Sequence, residues 1–196
     1  MGKQIYLEKV KKLFEESPVV DFKSIKRIVN SKGNYAKLLV HNLLKKGKIK
    51  KIGKGVYTKY DESSLAVFAF RPAYLGLQSA LSFYGLWEQE TIPVILTTKK
   101  VRRGVRKVLG TNILVRNINK KYFFGFELLK EESFYLPYSN LEKTLIDLVV
   151  FNIKIDKEVL VKIKKKIDRK RLNSYLKKYP KNLRIRVLKY IIYTKD

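Results

Sequence analysis

The sequence predicts an α+β protein built in two parts, and three observations lead to this prediction. The first 60 residues show three helical patterns followed by two short strand patterns. Residues 61–150 contain several short runs rich in β-branched and aromatic residues. Residues 151–196 return to helical spacing. We therefore expect one domain over 1–60 and a mixed α/β domain over 61–196, which ends in a basic helical segment from about 155 to 196.

The positive charge lies at the two ends of the chain. Its 196 residues include 44 Lys and Arg and 17 Asp and Glu, a net charge of +27. Residues 1–60 contain 16 basic and 4 acidic residues, residues 61–150 contain 12 and 9, and residues 151–196 contain 16 and 4. A folded chain with this charge indicates a polyanionic partner, first nucleic acid and second an anionic membrane surface.

The composition also argues against an enzyme. The chain has no cysteine and one histidine, His41, which excludes thiolate chemistry and clustered-histidine metal sites. Glu142 and Asp147 lie on different sides of a predicted helix, and Asp147 has lysines near it to pair with. We expect no catalytic site, no cofactor and no metal. With neither a signal peptide nor a long apolar run, we expect a cytoplasmic protein without a membrane span.

Three helices are predicted at the N-terminus. Residues 3–16 place apolar side chains at helical spacing, and Pro18 ends this helix. Residues 21–30 predict a second helix with Asp21 as its N-cap. After a turn, residues 34–46 predict a third helix.

The third helix separates its residues into two faces. One face is apolar and contains Ala36, Leu39, Val40 and Leu43. The other face presents amide, ammonium and imidazole groups with one leucine, which can contact base edges, phosphates or a thymine methyl group. This outer face contains Asn34, Lys37, Leu38, His41 and Lys45.

Residues 48–60 predict two strands joined by a tight turn at Gly53-Lys54. Three helices followed by a hairpin form the order of a winged helix-turn-helix, whose third helix enters the major groove while the hairpin reaches the phosphates or the adjacent minor groove. We predict double-stranded DNA binding; the alternative is a helical domain with a solvated basic surface. The predicted DNA-binding residues are Ser31, Lys32, Asn34, Lys37, His41, Lys45, Lys50, Lys51 and Lys54.

The middle of the chain predicts strands between two helices. Residues 74–84 predict a helix that Gly85 ends, and residues 99–110 predict a basic connector. A second helix is predicted over 139–151, with Ser139 and Glu142 in capping-box register. The predicted strands cover 91–98, 111–118, 122–129 and 133–138.

Two further basic groups are candidate phosphate contacts. The first lies in the predicted connector, where a solvated surface is the alternative; it contains Arg102, Arg103, Arg106 and Lys107. The second lies in the C-terminal segment, which predicts amphipathic helices; it contains Lys164, Lys165 and Lys166. These helices lie along DNA phosphates, pack on the middle domain with solvated lysines, or rest on an anionic membrane.

Three sequence motifs, in this order, resemble the AbiEi family of antitoxins and transcriptional regulators. They are "GKGVY", "LGLQSALSFYGLWEQETIPVILTT" and "YSNLEKTLIDLVVF", and the resemblance covers about residues 20–151. It implies a two-domain repressor that binds inverted repeats in the promoter of its own toxin–antitoxin operon and so regulates itself negatively. It also implies a functional partner, a nucleotidyltransferase-like toxin from the same operon, which is countered without a stable complex.

By position, the resemblance matches the outer face of the third helix to a recognition helix and the hairpin lysines to a wing. Tyr84 stands where many members of the family carry a histidine, so a role tied to that histidine does not transfer. The alternative function is an antitoxin that contacts its toxin directly and binds nucleic acid non-specifically through its basic surfaces. Carried over by position are Asn34, Lys37, His41, Lys50, Lys51 and Lys54.

Overall fold

The structure, a computed structural model, describes residues 2–29 and 34–192 and combines helices with two β-sheets. The predicted combination of helices and sheets is therefore confirmed at this level. The N-terminal elements are α1 (Gly2–Glu16), β1 (Val20–Asp21), α2 (Phe22–Val29), α3 (Asn34–Lys45), β2 (Lys50–Gly53) and β3 (Val56–Thr58). These three strands form an antiparallel sheet in the order β1-β3-β2.

The apolar faces of α1, α2 and α3 pack into one N-terminal core. Val10, Ile25 and Ala36 are fully buried there, together with the aromatic ring of Tyr57 from β3. This burial explains why the amphipathic pattern predicted all three helices correctly, since each helix leaves one face in water.

Two details of the hairpin differ from the sequence prediction. Gly53 pairs with Val56, so the turn consists of Lys54-Gly55 rather than Gly53-Lys54. Gly55 has a φ of +68°, a left-handed conformation that suits glycine. Strand β1 was not predicted, because two residues are too short to show an alternating pattern.

The second part of the chain begins with a 3₁₀-helix over Ser63–Phe70, which was not predicted. A six-stranded sheet follows, in the order β6-β7-β5-β4-β9-β8. Pairs β4–β9 and β5–β7 are parallel and the others are antiparallel. The strands are β4 (Ala73–Leu75), β5 (Val94–Thr97), β6 (Gly104–Val108), β7 (Thr111–Asn117), β8 (Phe126–Glu131) and β9 (Phe134–Ser139).

Helices cover one face of this sheet. The short helix α4 (Gln78–Phe83) follows β4 and contributes Leu81 to the core on this face and Ala80 to the core on the other face. The helices that cover the first face are α5 (Leu141–Val150), α6 (Lys157–Lys166), α7 (Arg169–Leu176) and α8 (Lys181–Ile192), and a 3₁₀ turn over Lys120–Tyr122 precedes β8. Within the two described ranges, no helix has both the length and the apolar character required to cross a lipid bilayer.

The predicted helix over 74–84 is wrong in its first part. Tyr74 and Leu75 belong to β4 and pair with β5, and the helix begins only at Gln78. All three residues of β4 are buried, because the sheet is covered on both faces. A strand of this kind shows no alternation, so its apolar run resembles a stretch of helix.

The predicted basic connector over 99–110 contains strand β6, which pairs with β7 along the edge of the sheet. The two strands are joined at Leu109-Gly110, and both residues have positive φ, 51° and 80°. This is the geometry of a tight hairpin turn that favours Asn-Gly. The Leu-Gly sequence gave no such signal.

The predicted capping box of Ser139 and Glu142 is also wrong. The N-cap of α5 is Asn140, whose side chain accepts a hydrogen bond from the Lys143 amide at 3.0 Å. Ser139 ends β9, and Glu142 instead accepts a hydrogen bond from the amide of Asp168 at 2.7 Å. Glu142 therefore holds the start of α7 against α5.

Helix α5 carries a buried ion pair in the core between the helices and the six-stranded sheet. Lys143 and Asp147 are hydrogen bonded, and both side chains are fully buried, so the expected pairing of Asp147 with a lysine is confirmed. The Tyr74 hydroxyl donates to the other carboxylate oxygen of Asp147 at 2.7 Å. Burial raises the pKa of Asp147 and lowers that of Lys143, because the loss of hydration outweighs their attraction.

The two faces of the six-stranded sheet belong to different cores. Tyr74, Val94 and Leu96 point toward the helices α5 to α8, whereas their neighbours Leu75 and Ile95 point toward the 3₁₀-helix. The N-terminal hairpin packs on this second face.

The hairpin shares that core with the 3₁₀-helix, across the predicted domain boundary at residue 60. Ile52 of β2 is 3% exposed and lies in the same cluster as Leu65 and Phe70. A Cβ atom added to Gly53 would lie 2.5 Å from the Cβ of Ala69. The backbone of the hairpin therefore lies too close to the 3₁₀-helix to leave room for a side chain at Gly53. The two parts of the protein are held together by packing.

This close approach predicts the effect of a small substitution. Gly53→Ala should lower the free energy of unfolding by about 1–3 kcal/mol through overpacking. Ala69→Gly should cost about 0.5–1 kcal/mol on its own. The double variant exchanges the two side chains and should be more stable than Gly53→Ala alone. Urea unfolding of the three variants measures this; a double variant no more stable than Gly53→Ala would contradict the contact.

Candidate nucleic-acid interface

Helix α3 is fixed by its buried face and by its C-terminal cap. Leu39, Val40 and Leu43 are buried in the N-terminal core, as the sequence predicts. After the helix, the amides of Gly47 and Lys48 donate to preceding carbonyls at 3.0 and 2.9 Å, and Gly47 has a φ of +64°. This arrangement ends the helix and fixes which of its faces is exposed.

The predicted outer face of α3 is exposed along its length. Leu38 is 54% exposed and lies at the centre of this face. The polar residues Asn34, Lys37, His41 and Lys45 are exposed on the same face. Asn42 is exposed beside them. The sequence prediction omitted it, because it lies at the edge of this outer face. The helix thus presents amide and cationic donors around one apolar side chain.

The hairpin tip lies against the start of α2. The Phe22 amide donates to the Gly55 carbonyl at 2.8 Å, and the Thr58 hydroxyl donates to the Pro18 carbonyl at 2.6 Å. The second turn residue of the hairpin is therefore tied to the helical core, and the side chain of Lys54, the first turn residue, is exposed beside it.

The two other predicted hairpin lysines differ in their surroundings. Lys50 forms a salt bridge with Asp61, which partly neutralises its charge. Lys51 is exposed, and within the described part of the chain it forms no salt bridge. Lys51 and Lys54 are thus the hairpin cations that remain available to a phosphate.

Helix α2 begins at a charged cap. The Asp21 carboxylate accepts a hydrogen bond from the Ser24 amide at 2.7 Å, as the predicted N-cap requires. This backbone hydrogen bond is the main reason that the pKa of Asp21 is lowered. The main chain of Asp21 also pairs with Val56 of the hairpin, so one residue joins the helix start to the hairpin.

The basic group around β6 lies next to the hairpin but is divided between two faces of the sheet. Arg106 lies with its guanidinium 5.4 Å from the Phe70 ring and donates to the Arg102 carbonyl, on the face that carries the hairpin. Lys107 follows it in the strand and points to the opposite face. Arg102 and Arg103 are exposed in the segment before β6.

The C-terminal lysines lie apart from the hairpin. Leu160 and Ile163 anchor α6 in the core on the other face of the sheet. Lys165 and Lys166 are exposed on its outer side, and the ammonium of Lys166 lies 3.5 Å from the Tyr84 carbonyl oxygen. Lys164 is half-buried. The structure therefore does not bring these residues to the α3 and hairpin surface.

Two predicted residues, Ser31 and Lys32, lie outside the described residues. Among the residues that the structure does describe, no group of three histidines, cysteines or carboxylates is placed to hold a metal ion. The chemistry available at the α3 and hairpin surface is hydrogen bonding and attraction of negative charge.

Comparison with protein-family models gives no match, and comparison with curated proteins also gives none. Among solved structures, the chain is similar to the crystal structure of the RV2827C protein from Mycobacterium tuberculosis, with a TM-score of 0.64 and 13% sequence identity. The match covers 98% of this chain and 78% of that chain. At this identity the similarity concerns the fold alone.

The Asp21 cap predicts a pH-dependent contribution to stability. Asp21→Ala should lower the free energy of unfolding by about 1 kcal/mol at neutral pH. The pKa is lowered in the folded state, so the stabilisation is present above the unfolded pKa and is lost as the pH falls through the folded one. The difference from the wild type should therefore shrink below about pH 4.

Denaturant unfolding at several pH values measures this difference. Lys26→Ala, an exposed change in the same helix, serves as the control and should shift stability by less than about 0.5 kcal/mol. A difference between wild type and Asp21→Ala that does not change with pH would contradict a charged cap.

Proposed function

We propose that the chain is a sequence-specific DNA-binding transcriptional repressor whose first 60 residues act as a winged helix-turn-helix. One observation carries the proposal. The exposed face of α3 presents Asn34, Lys37 and His41, and the hairpin that follows presents Lys54 at its tip. A helix with such donors suits the major groove, and a cationic tip suits the phosphate backbone.

The proposal gives different tasks to the helix and the hairpin. On α3, Asn34 is suited to adenine, Lys37 to guanine and Leu38 to a thymine methyl group. On the hairpin, Lys51 and Lys54 contact phosphates, which fixes the register of the helix without reading sequence. Lys50 contributes less, because Asp61 holds its ammonium group.

The neighbouring edge of the large sheet extends the basic surface. Strand β6 lies beside β2, and Arg102 and Arg103 precede it as exposed side chains. Arginine binds two phosphate oxygens with one planar group. A duplex bound by α3 and the hairpin would therefore extend toward these arginines and contact them. The α6 lysines lie on the far face of the sheet.

We propose further that the repressor is the antitoxin of a toxin–antitoxin operon, as in the AbiEi family, and regulates its own promoter through inverted repeats. This part rests on the motifs "LGLQSALSFYGL" and "YSNLEKTLIDL". Its partner is then a nucleotidyltransferase-like toxin. The protein acts by binding alone, without a cofactor.

One observation favours direct contact with that toxin as a second candidate. The lysine-rich outer side of α6 lies beyond the footprint proposed for DNA, on the opposite face of the sheet. Co-purification of the two proteins after joint expression would favour this second candidate; separate elution would favour action through DNA alone.

The first test is an electrophoretic mobility shift on the DNA upstream of the gene, against random DNA of equal length, at two salt concentrations. Preference for the upstream DNA that persists at the higher salt is the expected result, because base contacts do not depend on counterion release. Equal binding of both DNAs, lost at higher salt, would overturn the proposal of a sequence-specific repressor.

Single substitutions should separate the two tasks. Lys54→Ala should weaken binding to both DNAs alike and reduce the salt slope by about 1. Asn34→Ala or Lys37→Ala should reduce the preference for the upstream DNA by about 1–3 kcal/mol. Lys165→Ala removes an exposed charge from the far face and should change neither quantity. Fluorescence anisotropy at several salt concentrations measures both the affinity and its salt dependence. Equal losses of affinity for random DNA from Lys54→Ala, Asn34→Ala and Lys37→Ala would contradict this division of tasks.

A further inference from the structure

A cavity of about 250 Å³ lies on the same face of the large sheet as the hairpin, but at the other end of the 3₁₀-helix. Residues at the start of that helix, at the end of β8 and in α4 line it, and it is open to solvent. Its floor is apolar and includes Leu75 and the stacked rings of Phe83 and Tyr138, whose centroids are 4.5 Å apart. A cavity of this size holds a molecule of roughly ten non-hydrogen atoms rather than a drug-sized ligand.

The polar groups of the cavity are hydroxyls and carboxylates. Serine and threonine side chains line it, and two glutamates, Glu62 and Glu131, complete the wall. Ser79 is almost fully buried; its oxygen accepts a hydrogen bond from the Val94 amide at 2.7 Å. The hydroxyl-bearing residues are Ser63, Ser64, Ser79, Ser82, Thr91, Thr111 and Tyr138.

The absence of basic residues from this wall is unexpected for such a basic protein. The chain contains 44 Lys and Arg in 196 residues, yet none lines the cavity. Neither Glu62 nor Glu131 forms a salt bridge anywhere in the part of the chain that the structure describes. Two carboxylates therefore face a common space in which the protein supplies no positive charge.

Both carboxylates are already held in place by the fold. Glu62 caps the 3₁₀-helix by accepting from the Ser64 amide at 3.0 Å. Glu131 accepts from the Tyr138 hydroxyl at 2.6 Å. Burial raises the pKa of Glu131, the Tyr138 hydrogen bond opposes this rise, and repulsion from Glu62 and then Glu132 adds to it. One oxygen of each carboxylate is engaged, so their positions are fixed before a ligand arrives.

We propose that this cavity binds a small organic cation, an aliphatic amine or guanidinium compound, whose charge Glu62 and Glu131 neutralise. The hydroxyls accept its remaining N–H groups, and the apolar floor contacts its methylene groups. An anion finds no cationic partner here. A bare metal ion is far smaller than the cavity and would have only two carboxylate ligands from its wall, fewer than calcium requires of a protein site.

Isothermal titration calorimetry of the full chain tests the proposal with matched probes. Putrescine and agmatine carry the cationic groups, while butanediol and succinate have the same carbon chain as putrescine with neutral and anionic ends. Saturable binding of one amine per chain, and no binding of the diol or succinate, is the expected result. Absence of saturable amine binding, or equal binding of the diol, would overturn the proposal.

Three substitutions locate the binding. Glu131→Gln and Glu62→Gln keep the hydrogen-bond acceptors that the fold uses, and each should weaken amine binding by about tenfold through loss of a charged hydrogen bond. Glu132→Gln is the matched control; it removes an exposed carboxylate one residue away and should leave the affinity within about twofold. Equal losses from Glu131→Gln and Glu132→Gln would show general attraction to acidic residues and overturn the site.

A further variant guards against a change in folding. Thr111→Trp places a large ring at an exposed residue that lines the cavity, the first residue of β7, and leaves both glutamates unchanged. It should also weaken amine binding by at least about tenfold, because it narrows the opening. Amine binding unchanged in a Thr111→Trp protein with a wild-type circular dichroism spectrum would place the ligand elsewhere and overturn the proposal.

Discussion

The six-stranded sheet has two apolar faces, and the rest of the structure follows from the need to cover both. Helices α5 to α8 cover the face that carries Tyr74 and Leu96. The 3₁₀-helix covers the other face, and the N-terminal hairpin completes that cover through Ile52. Because apolar burial is the main favourable term in folding, the hairpin cannot leave the sheet without a large loss of stability. The proposed DNA-reading helix is thereby held in a fixed orientation to the second part of the protein.

The helical face is organised around a charged pair that the sheet and the helices share. Asp147 accepts hydrogen bonds from Lys143 on its own helix and from Tyr74 on the central strand β4. Burial of two charges is costly, and the attraction between them offsets that cost only when the geometry is good. The pair therefore adds little net stability, but either residue without the other leaves a buried charge. We expect the pair to fix the position of α5 on β4 more narrowly than apolar contacts alone would.

Those elements that have one face in water could be predicted, because their periodicity is visible in the sequence. This holds for α3 and for its exposed polar face, and the hairpin turn was misplaced by a single residue. Strand β4 was predicted wrongly because both of its faces are covered, and the edge strand β6 was missed because its charged residues obscure the pattern. Contacts between residues distant in the sequence also could not be predicted. Examples are the salt bridge between Lys50 and Asp61 and the cavity that Glu62 and Glu131 both line. A third is the hydrogen bond from Tyr74 to Asp147, 73 positions away.

The residues around position 60 mark a change in composition but not a place where the chain can be divided. A fragment that ended there would expose Ile52 and Val56 to water, and the remainder would lose the cover over Leu65 and Ala66. Both pieces would carry apolar patches of the kind that cause aggregation. Exchange of residues 1–60 for those of another protein would likewise disrupt the core that the hairpin shares with the 3₁₀-helix. The change in composition near residue 60 therefore does not mark the border of an independent folding unit.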